Sequence, residues 1–428
     1  MKLETQRFTQ YGETMHYGKL RNRLGVYYIE KPGFAKTYVT INVPLGAIHE
    51  GYEEEGKRVH VPRGIAHFLE HKVFEKDGAD ISKEFSMDEA SINAFTEHHQ
   101  TTYLFSAAAN VARNTTRLIN MVFNPGFSSQ GVESEKSIIA EELNMHFDDP
   151  AYKQYVGLIN AMYHAHPIKD DILGTRSDIE AMDYDTLRTM HAAYYQPERC
   201  ALIVVGDLGD PQTFFQSIEA NVQLPEPSLK KPLGIGRDEP GTVAHPRTTQ
   251  TLDVRMPSVL YGIKFTPIRG VDTDVRIKER LALSMWLDLC LGRTSDYYES
   301  LLDKGLINDS YGLELNYDKD YAYALIGSET TQPDALAKAL SDALSTPEDL
   351  ALEEADFTRL KRQMLGNFIH SLDSPETIAH QFAHFIQESV SYYEVIDVAM
   401  SLSFADVKAK HKAIAKHSQS VFIIKSNA

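Results

Sequence analysis

The stretch GIAHFLEHKVFE, residues 64–75, decides how the rest of the chain is read. On a helix, His67 and His71 stand one turn apart on one face, and Glu70 shares that face. Ile65, Phe68 and Leu69 form an apolar flank that would turn toward a core and leave the ionisable stripe over a cleft. Two imidazoles at this spacing can converge on one metal ion. The order H-x-x-E-H is the reverse of the H-E-x-x-H pattern of zinc protease helices. A solvated helix face could use the same residues, so the surroundings have to discriminate.

Outward from this helix the pattern is regular. RLGVYYIEKPG (23–33) and KTYVTINVPLG (36–46) are apolar runs closed by Pro and Gly, which predicts paired strands. ASINAFTEHHQTTYLFSAAAN (90–110) predicts two more strands. VARNTTRLINMVFN (111–124) and VESEKSIIAEELNMHF (132–147) predict helices, and CALIVVGDL (200–208) a strand that closes the sheet. Residues 209–249 include LPEPSLKKPLGIGRDEPG, rich in Pro, Gly and charge without a sustained period, and read as an interdomain linker.

The order then recurs about 220 residues further along. YGIKFTPIRG (261–270) stands where TYVTINVPLG stood, and IKERLALSMWLDLCLG (277–292) takes the place of the motif helix. YAYALIGSETTQPDALAKALSDAL (321–344) and ADFTRLKRQMLGNF (355–368) follow in the same order. The predicted fold is α+β: two homologous α/β halves, each a mixed sheet with helices packed on one face. Residues 1–208 form the half with the motif, 209–249 the linker and 250–428 the second half.

Composition narrows the function. At 428 residues, two domains of roughly 200 residues are the natural division. Hydrophobic residues at 43% and charged residues at 24% give the balance of a globular protein. A net charge of −17 with no basic patch argues against a nucleic-acid partner or an anionic membrane surface. The N-terminal MKLETQRFTQYGETMHYG lacks an apolar secretory segment, and no run of 18 apolar residues occurs, so the expected location is the cytoplasm. Cys200 and Cys290 lie in apolar contexts and read as reduced, buried thiols.

A catalytic zinc needs a third protein ligand from another rigid element and one position left for water. Glu135 and Glu142, seven residues apart beside Ile138 and Leu143, share one face of the later helix, and Glu141 points roughly 100° away. Spacing alone does not choose between Glu135 and Glu142. Other histidines are weaker candidates. His380 and His384 have helical spacing but no carboxylate between them, and read as a buried or interface pair. His98 and His99 are neighbours expected on a strand, facing opposite sides.

Residues 64–75 and 135–145 together resemble the pitrilysin, insulinase and mitochondrial-processing-peptidase family of inverzincin metallopeptidases. Within it, the chain looks most like the bacterial cytosolic subgroup that includes proteins named for association with the 5-aminopentanol modification of elongation factor P. NAFTEHHQTTYLF (93–105), YHAHPIKDDILGT (163–175) and YYQPERCALIVVGD (194–207) are similar to further family segments, so the resemblance spans nearly the whole chain. It implies one Zn2+ per chain held by His67, His71 and Glu142, since the family places its third ligand in a Glu-[Leu/Met] pair. It also implies Glu70 as general base and then acid, and Glu135 as acceptor of a hydrogen bond from a ligand histidine. The edge strand with Asn93, Ala94 and Phe95 would pair with a peptide substrate as an added strand.

The second half lacks this set. LSMWLDLCLG (283–292) occupies the motif's place, and Asp356 and Gln363 stand for Glu135 and Glu142. Its expected duty is to form the other wall of a substrate chamber. Many relatives carry an Arg and a Tyr seven apart in this half. Here the comparable stretch has Leu301 and Asn308, with Tyr311 nearby but out of register. A homologous partner subunit in a heterodimer, or a second copy in a homodimer, is expected to supply the missing pair. The reading is thus a zinc endopeptidase; the rival is a noncatalytic scaffold subunit derived from a processing peptidase.

Overall fold

The structure is a computed structural model that describes residues 2–21, 23–223, 225, 228–235, 238–386, 388 and 390–427. It divides into two compact units. The first comprises residues 1–143, 170–235 and 369–393, the second 144–169, 236–368 and 394–428.

Among the described residues the first unit is built on a seven-stranded sheet, ordered Glu4–Phe8, Glu13–Lys19, Gly25–Glu30, Ala201–Gly206, Thr37–Val43, Thr101–Ala107, Ser91–Thr96. Only Gly25–Glu30 and Ala201–Gly206 run parallel; every other neighbouring pair is antiparallel. The strands Thr37–Val43 and Ala201–Gly206 are buried at every position, so both faces are covered. Alternation assigns the faces. Val39, Ile41, Tyr103 and Phe105 look toward the motif helix and its neighbours, with Phe105 against Phe85 and Tyr103 against Phe74. Tyr38 looks the other way and meets His380 on the helix Pro375–Ile386, hydroxyl to Nε2 at 3.0 Å.

The second unit repeats the plan. Its five-stranded sheet runs Arg247–Leu252, Ser418–Ser426, Ser258–Phe265, Ala322–Glu329, Gly312–Tyr317, again with one parallel pair at the same place in the order. The two orders coincide strand for strand over five strands, as the sequence repeat requires.

A boundary drawn at 208/209 does not describe these units. The helix Pro150–Met162, started by Asp149 as N-cap and Pro150 in its first turn, packs on strands Ser258–Phe265 and Ser418–Ser426 of the second unit. Gln154 fixes it there, its amide donating to Phe422 O at 2.8 Å and its oxygen accepting from Ser258 Oγ at 2.9 Å. Its end is held by Glu239, which accepts the backbone N–H of His164, Ala165 and His166 and the ammonium of Lys264. Reciprocally, Pro375–Ile386 from the second half packs on Thr37–Val43 and Ala201–Gly206. Both helices have one apolar face, and an apolar face does not state which sheet it will cover.

The expected linker, 209–249, is also more structured than its composition suggested. It contains a helix, Pro211–Glu219, and the start of the strand Arg247–Leu252. Pro211 sits in the first turn, where its missing N–H costs nothing, and Asp210 caps Thr213. Phe214, Phe215 and Ile218 make the buried face. His98 and His99 lie outside the strands, in the turn closed by Glu97 N to Gln100 O at 2.8 Å.

One buried group gives the first unit a measurable pH dependence. His191, on the helix Tyr184–Tyr194, is buried and bonds Val122 O through Nε2 at 2.9 Å. Burial pushes its pKa down to about 4. The folded value lies below the unfolded one, so stability is complete above about pH 6.5 and falls as pH drops from there toward 4. Urea titration should show a loss of about 2 kcal/mol between pH 7 and pH 5 that is absent in His191→Gln. An equal loss in that variant would assign the effect elsewhere.

Candidate metal centre

The motif helix runs Ile65–Val73 and starts at Gly64, whose φ of 79° lies in the left-handed region. A Cβ there would stand 2.1 Å from Leu173 O. Gly174, with φ of 75°, meets Arg63 O in the same way, so two backbones touch where side chains could not fit. This contact and the Arg63–Asp170 ion pair at 3.0 Å brace the helix start against the segment ending ILGT. Ile65, Phe68 and Leu69 are buried as their spacing predicts. His67 is 8% exposed, and Glu70 and His71 are half-buried.

The later helix, Ser129–Asp148, brings both glutamates to the motif. Glu142 Oε1 lies 3.6 Å from His67 Nε2, and Glu142 Oε2 lies 3.6 Å from His71 Nε2. The ring centroids of the two histidines are 4.6 Å apart. One donor atom from each of the three residues lies within 4.8 Å of the others. Glu135 takes the other side of His71, accepting from Nδ1 at 3.0 Å, which leaves the lone pair of His71 on Nε2, toward Glu142. Glu141 is exposed.

These distances fit an ion better than hydrogen bonds. A separation of 3.6 Å exceeds hydrogen-bond reach. Two donors held at about 2.1 Å from one zinc in tetrahedral array stand roughly 3.4 Å apart. His67 Nδ1 is buried without a hydrogen-bond partner among the described residues, so hydrogen bonding does not account for the placement of this ring. Two imidazoles and one carboxylate are the donor set of a zinc site with an open position.

The charges around the cluster are settled by a lysine. Lys72 is 3% exposed, and its ammonium lies 3.0 Å from Glu135 Oε2, 2.6 Å from Glu75 and 3.0 Å from Gly131 O. Glu75 in turn accepts from the backbone and hydroxyl of Ser128, each at 3.0 Å. Burial alone would raise the carboxyl pKa of Glu135, but the bonds from His71 and Lys72 hold it below the ordinary range. Burial works against a charge on His71 too, and Glu135, Glu70 and Glu142 outweigh it, so its pKa is raised.

Glu70 Oε2 accepts from the Thr96 hydroxyl at 2.6 Å. Thr96 lies on the edge strand Ser91–Thr96, on the face shared with Ile92 and Ala94. A cavity of about 860 Å³ opens here, lined among others by Glu70, His71, Asn93, Ala94, Glu135 and Ile138. Asn93 Oδ1 accepts from Ala94 N at 2.9 Å. Phe95 is not among the lining residues: its ring stacks on His380 with centroids 5.2 Å apart, on the face opposite Ala94 and Thr96. His380 is thus engaged with Tyr38 and Phe95, and His384 is exposed.

Lys72, Glu75 and Thr96 escaped the sequence reading. A signal for the first was present, because position 72 follows Phe68 and Leu69 by four and three residues, which puts it on the buried face. A lysine there needs carboxylates. Lys72→Met is expected to weaken zinc binding 10–100-fold in chelator competition, by freeing Glu135 from its position. It should also cost about 3 kcal/mol of stability, recovered in part when Glu135→Gln removes the stranded charge. Unchanged zinc affinity would reduce Lys72 to a packing role.

In the second half Leu301 and Tyr311 belong to the core, and the Tyr311 hydroxyl donates to Leu291 O at 2.6 Å. Asn308 is tied to its own turn, its Oδ1 accepting from Ser310 N at 2.8 Å. Cys200 and Cys290 are both buried and free. No helix of the described residues is long and apolar enough to cross a membrane.

A fold of two matching halves, with a His-Glu-His helix in the first alone, defines a metallopeptidase-type chain, and comparison with known proteins gives the family. Residues 26–176 match the model of the insulinase family, peptidase family M16, and residues 181–364 match the M16 peptidase inactive domain. The chain belongs to the M16 family. It is 35% identical over 407 residues to YmfH of Bacillus subtilis, an uncharacterized zinc protease, covering 94% of each chain. Over 344 residues it is 23% identical to the zinc protease PqqE of Helicobacter pylori, covering 76% of this chain and 74% of that one. A solved structure from Alicyclobacillus acidocaldarius, described as M16-like, superposes with a TM-score of 0.89 at 27% identity, over 100% of this chain and 99% of the other. The match of the second half to an inactive domain agrees with its loss of the motif.

Proposed function

We propose that the chain is a zinc-dependent endopeptidase of the bacterial cytoplasm, cutting peptides or short unfolded segments in an enclosed chamber together with a homologous partner subunit. The observation that carries this reading is the convergence of His67 Nε2, His71 Nε2 and the Glu142 carboxylate beside Glu70. His67, His71 and Glu142 would hold one ion. When bound, zinc polarises a water molecule and the peptide carbonyl.

The chain's own groups do the rest. Thr96 donates to Glu70 Oε2, and Oε1 would be the oxygen that carries the proton. Glu70 takes the proton as the water oxygen adds to the carbonyl carbon. When the C–N bond breaks, Glu70 delivers that proton to the leaving nitrogen. Glu135 holds the tautomer and orientation of His71. The substrate backbone would add to the free edge of Ser91–Thr96 at Asn93 and Ala94, displacing the Asn93 side chain from Ala94 N–H. Phe95 would contribute backbone alone.

Leu301 and Tyr311 are buried and position 301 carries no arginine, so the missing Arg and Tyr would come from the partner subunit. Mixed peptides incubated with the purified chain should be cut, with cutting stopped by a chelator and restored by zinc. A homologous partner subunit should raise the rate. Full activity of the chain alone would remove the partner from this reading, and no cleavage with or without it would favour the scaffold.

A further inference from the structure

The second unit keeps a cavity where the first has its metal cluster. Helices Thr273–Leu291 and Glu354–Ser371 occupy the places of Ile65–Val73 and Ser129–Asp148 in the repeated order. Between them lies a space of about 440 Å³. Setting Met285-Trp286-Leu287-Asp288-Leu289 against His67-Phe68-Leu69-Glu70-His71 puts Met285 and Leu289 at the two histidines and Asp288 at Glu70. Gln363 stands at Glu142. A thioether, an alkyl group and an amide do not make a zinc site.

The space has nevertheless not been filled by apolar side chains. Ser284, Asp288, Gln363 and Asn367 face it, together with Met285 and Met364. The Asp288 carboxyl has no hydrogen bond or ion pair among the described residues, and burial raises its pKa from the ordinary value. Asp288 is half-buried, so water still reaches its carboxyl, and Gln363 and Asn367 are exposed at the rim of the space; an unpaired carboxyl partly stripped of water in a cleft is a candidate binding group. Among the described residues Arg293 is the one cation in the lining. Its Nη2 donates to Asp309 O at 2.9 Å and to Tyr311 O at 2.6 Å, and among the described residues no ion pair joins it to Asp288.

We propose that this cavity binds a primary ammonium group carried on a short aliphatic chain. Asp288 supplies the counter-charge, and the amide oxygens of Gln363 and Asn367 accept the two remaining N–H bonds. An ammonium has three donors and no acceptor, and the lining offers it acceptor oxygens on Asp288, Gln363 and Asn367. Met285 and Met364 cover the alkyl stem, as flexible thioethers do in adaptable pockets.

The test is titration of the full chain with n-butylamine, protonated at pH 7, and with n-butanol as the uncharged match in shape. Butylamine should bind at least about 10-fold more tightly than butanol, because a charge-assisted bond is added. Asp288→Asn should abolish that preference without lowering the melting temperature, since the half-buried carboxyl has no hydrogen bond or ion pair to lose. Gln363→Glu, which adds a second carboxylate, should tighten butylamine several-fold, an outcome that misfolding would not produce. Nα-acetyl-lysine amide binding as well as butylamine would assign a lysine side chain as ligand, and its exclusion would assign a free alkylamine. Equal binding of amine and alcohol, no saturable amine binding, or an amine affinity untouched by both substitutions would overturn the proposal.

Discussion

Glu70→Gln is expected to lower peptide cleavage by about 10²–10⁴-fold while leaving zinc content unchanged. The substitution keeps shape and the Thr96 contact, because the amide oxygen can still accept from the hydroxyl. What disappears is the capacity to take and return a proton. KM should move little, since Glu70 acts on the proton rather than on substrate binding. Metal analysis beside the rate measurement separates this role from ligation. A variant that loses its zinc would place Glu70 on the ion, and one that keeps its rate would remove it from catalysis.

Glu142→Ala is expected to do the reverse, with metal and activity lost together. The two histidines share one turn and would remain in place, but two neutral nitrogens lack the negative charge that the Glu142 carboxylate brings to the cluster. Zinc retained after dialysis should fall from about one per chain to nearly none. Glu135→Ala provides the contrast. Glu135 touches His71 Nδ1 and Lys72 rather than the point where the Nε2 atoms converge, so its removal should weaken zinc only 10–100-fold. If Glu135→Ala emptied the site while Glu142→Ala stayed loaded, the two assignments would be exchanged.

How far the sequence could be read depended on the range of the interaction. The motif helix was legible because its helical period and its charged stripe lie within one short segment. The duplication was legible because order and spacing repeat, and the two sheets share their strand order over five strands. Glu135 and Glu142 could not be told apart by period, since both project from one helix face; only the distances to His71 Nδ1 and Nε2 separate them. The exchange of helices Pro150–Met162 and Pro375–Ile386 between the two halves of the sequence was hidden for a similar reason: amphipathicity records that a face is covered and not by which sheet. The helix Pro211–Glu219 lay hidden within 209–249 because the Pro, Gly and charge that mark the segment as a linker belong to its later part. Phe95, expected beside Asn93 and Ala94 as a substrate contact, faces His380 instead, on the side of the strand opposite Ala94.

Lys72 shows what composition and motif miss at closer range. One ammonium bridges the carboxylate that steadies His71 and the one that receives Ser128, so the motif helix and the Glu142 helix are joined by charge just behind the cluster. The spacing of the three donors therefore depends on a side chain outside H-x-x-E-H.

A single ion shared by two imidazoles and one carboxylate is tested most directly by anomalous diffraction at the zinc edge from the zinc-loaded chain. One peak is expected within about 2.1 Å of His67 Nε2, His71 Nε2 and a Glu142 oxygen, with Glu135 and Glu70 farther away. A peak bound elsewhere, or one at the histidines with Glu142 turned away from it, would contradict the assignment.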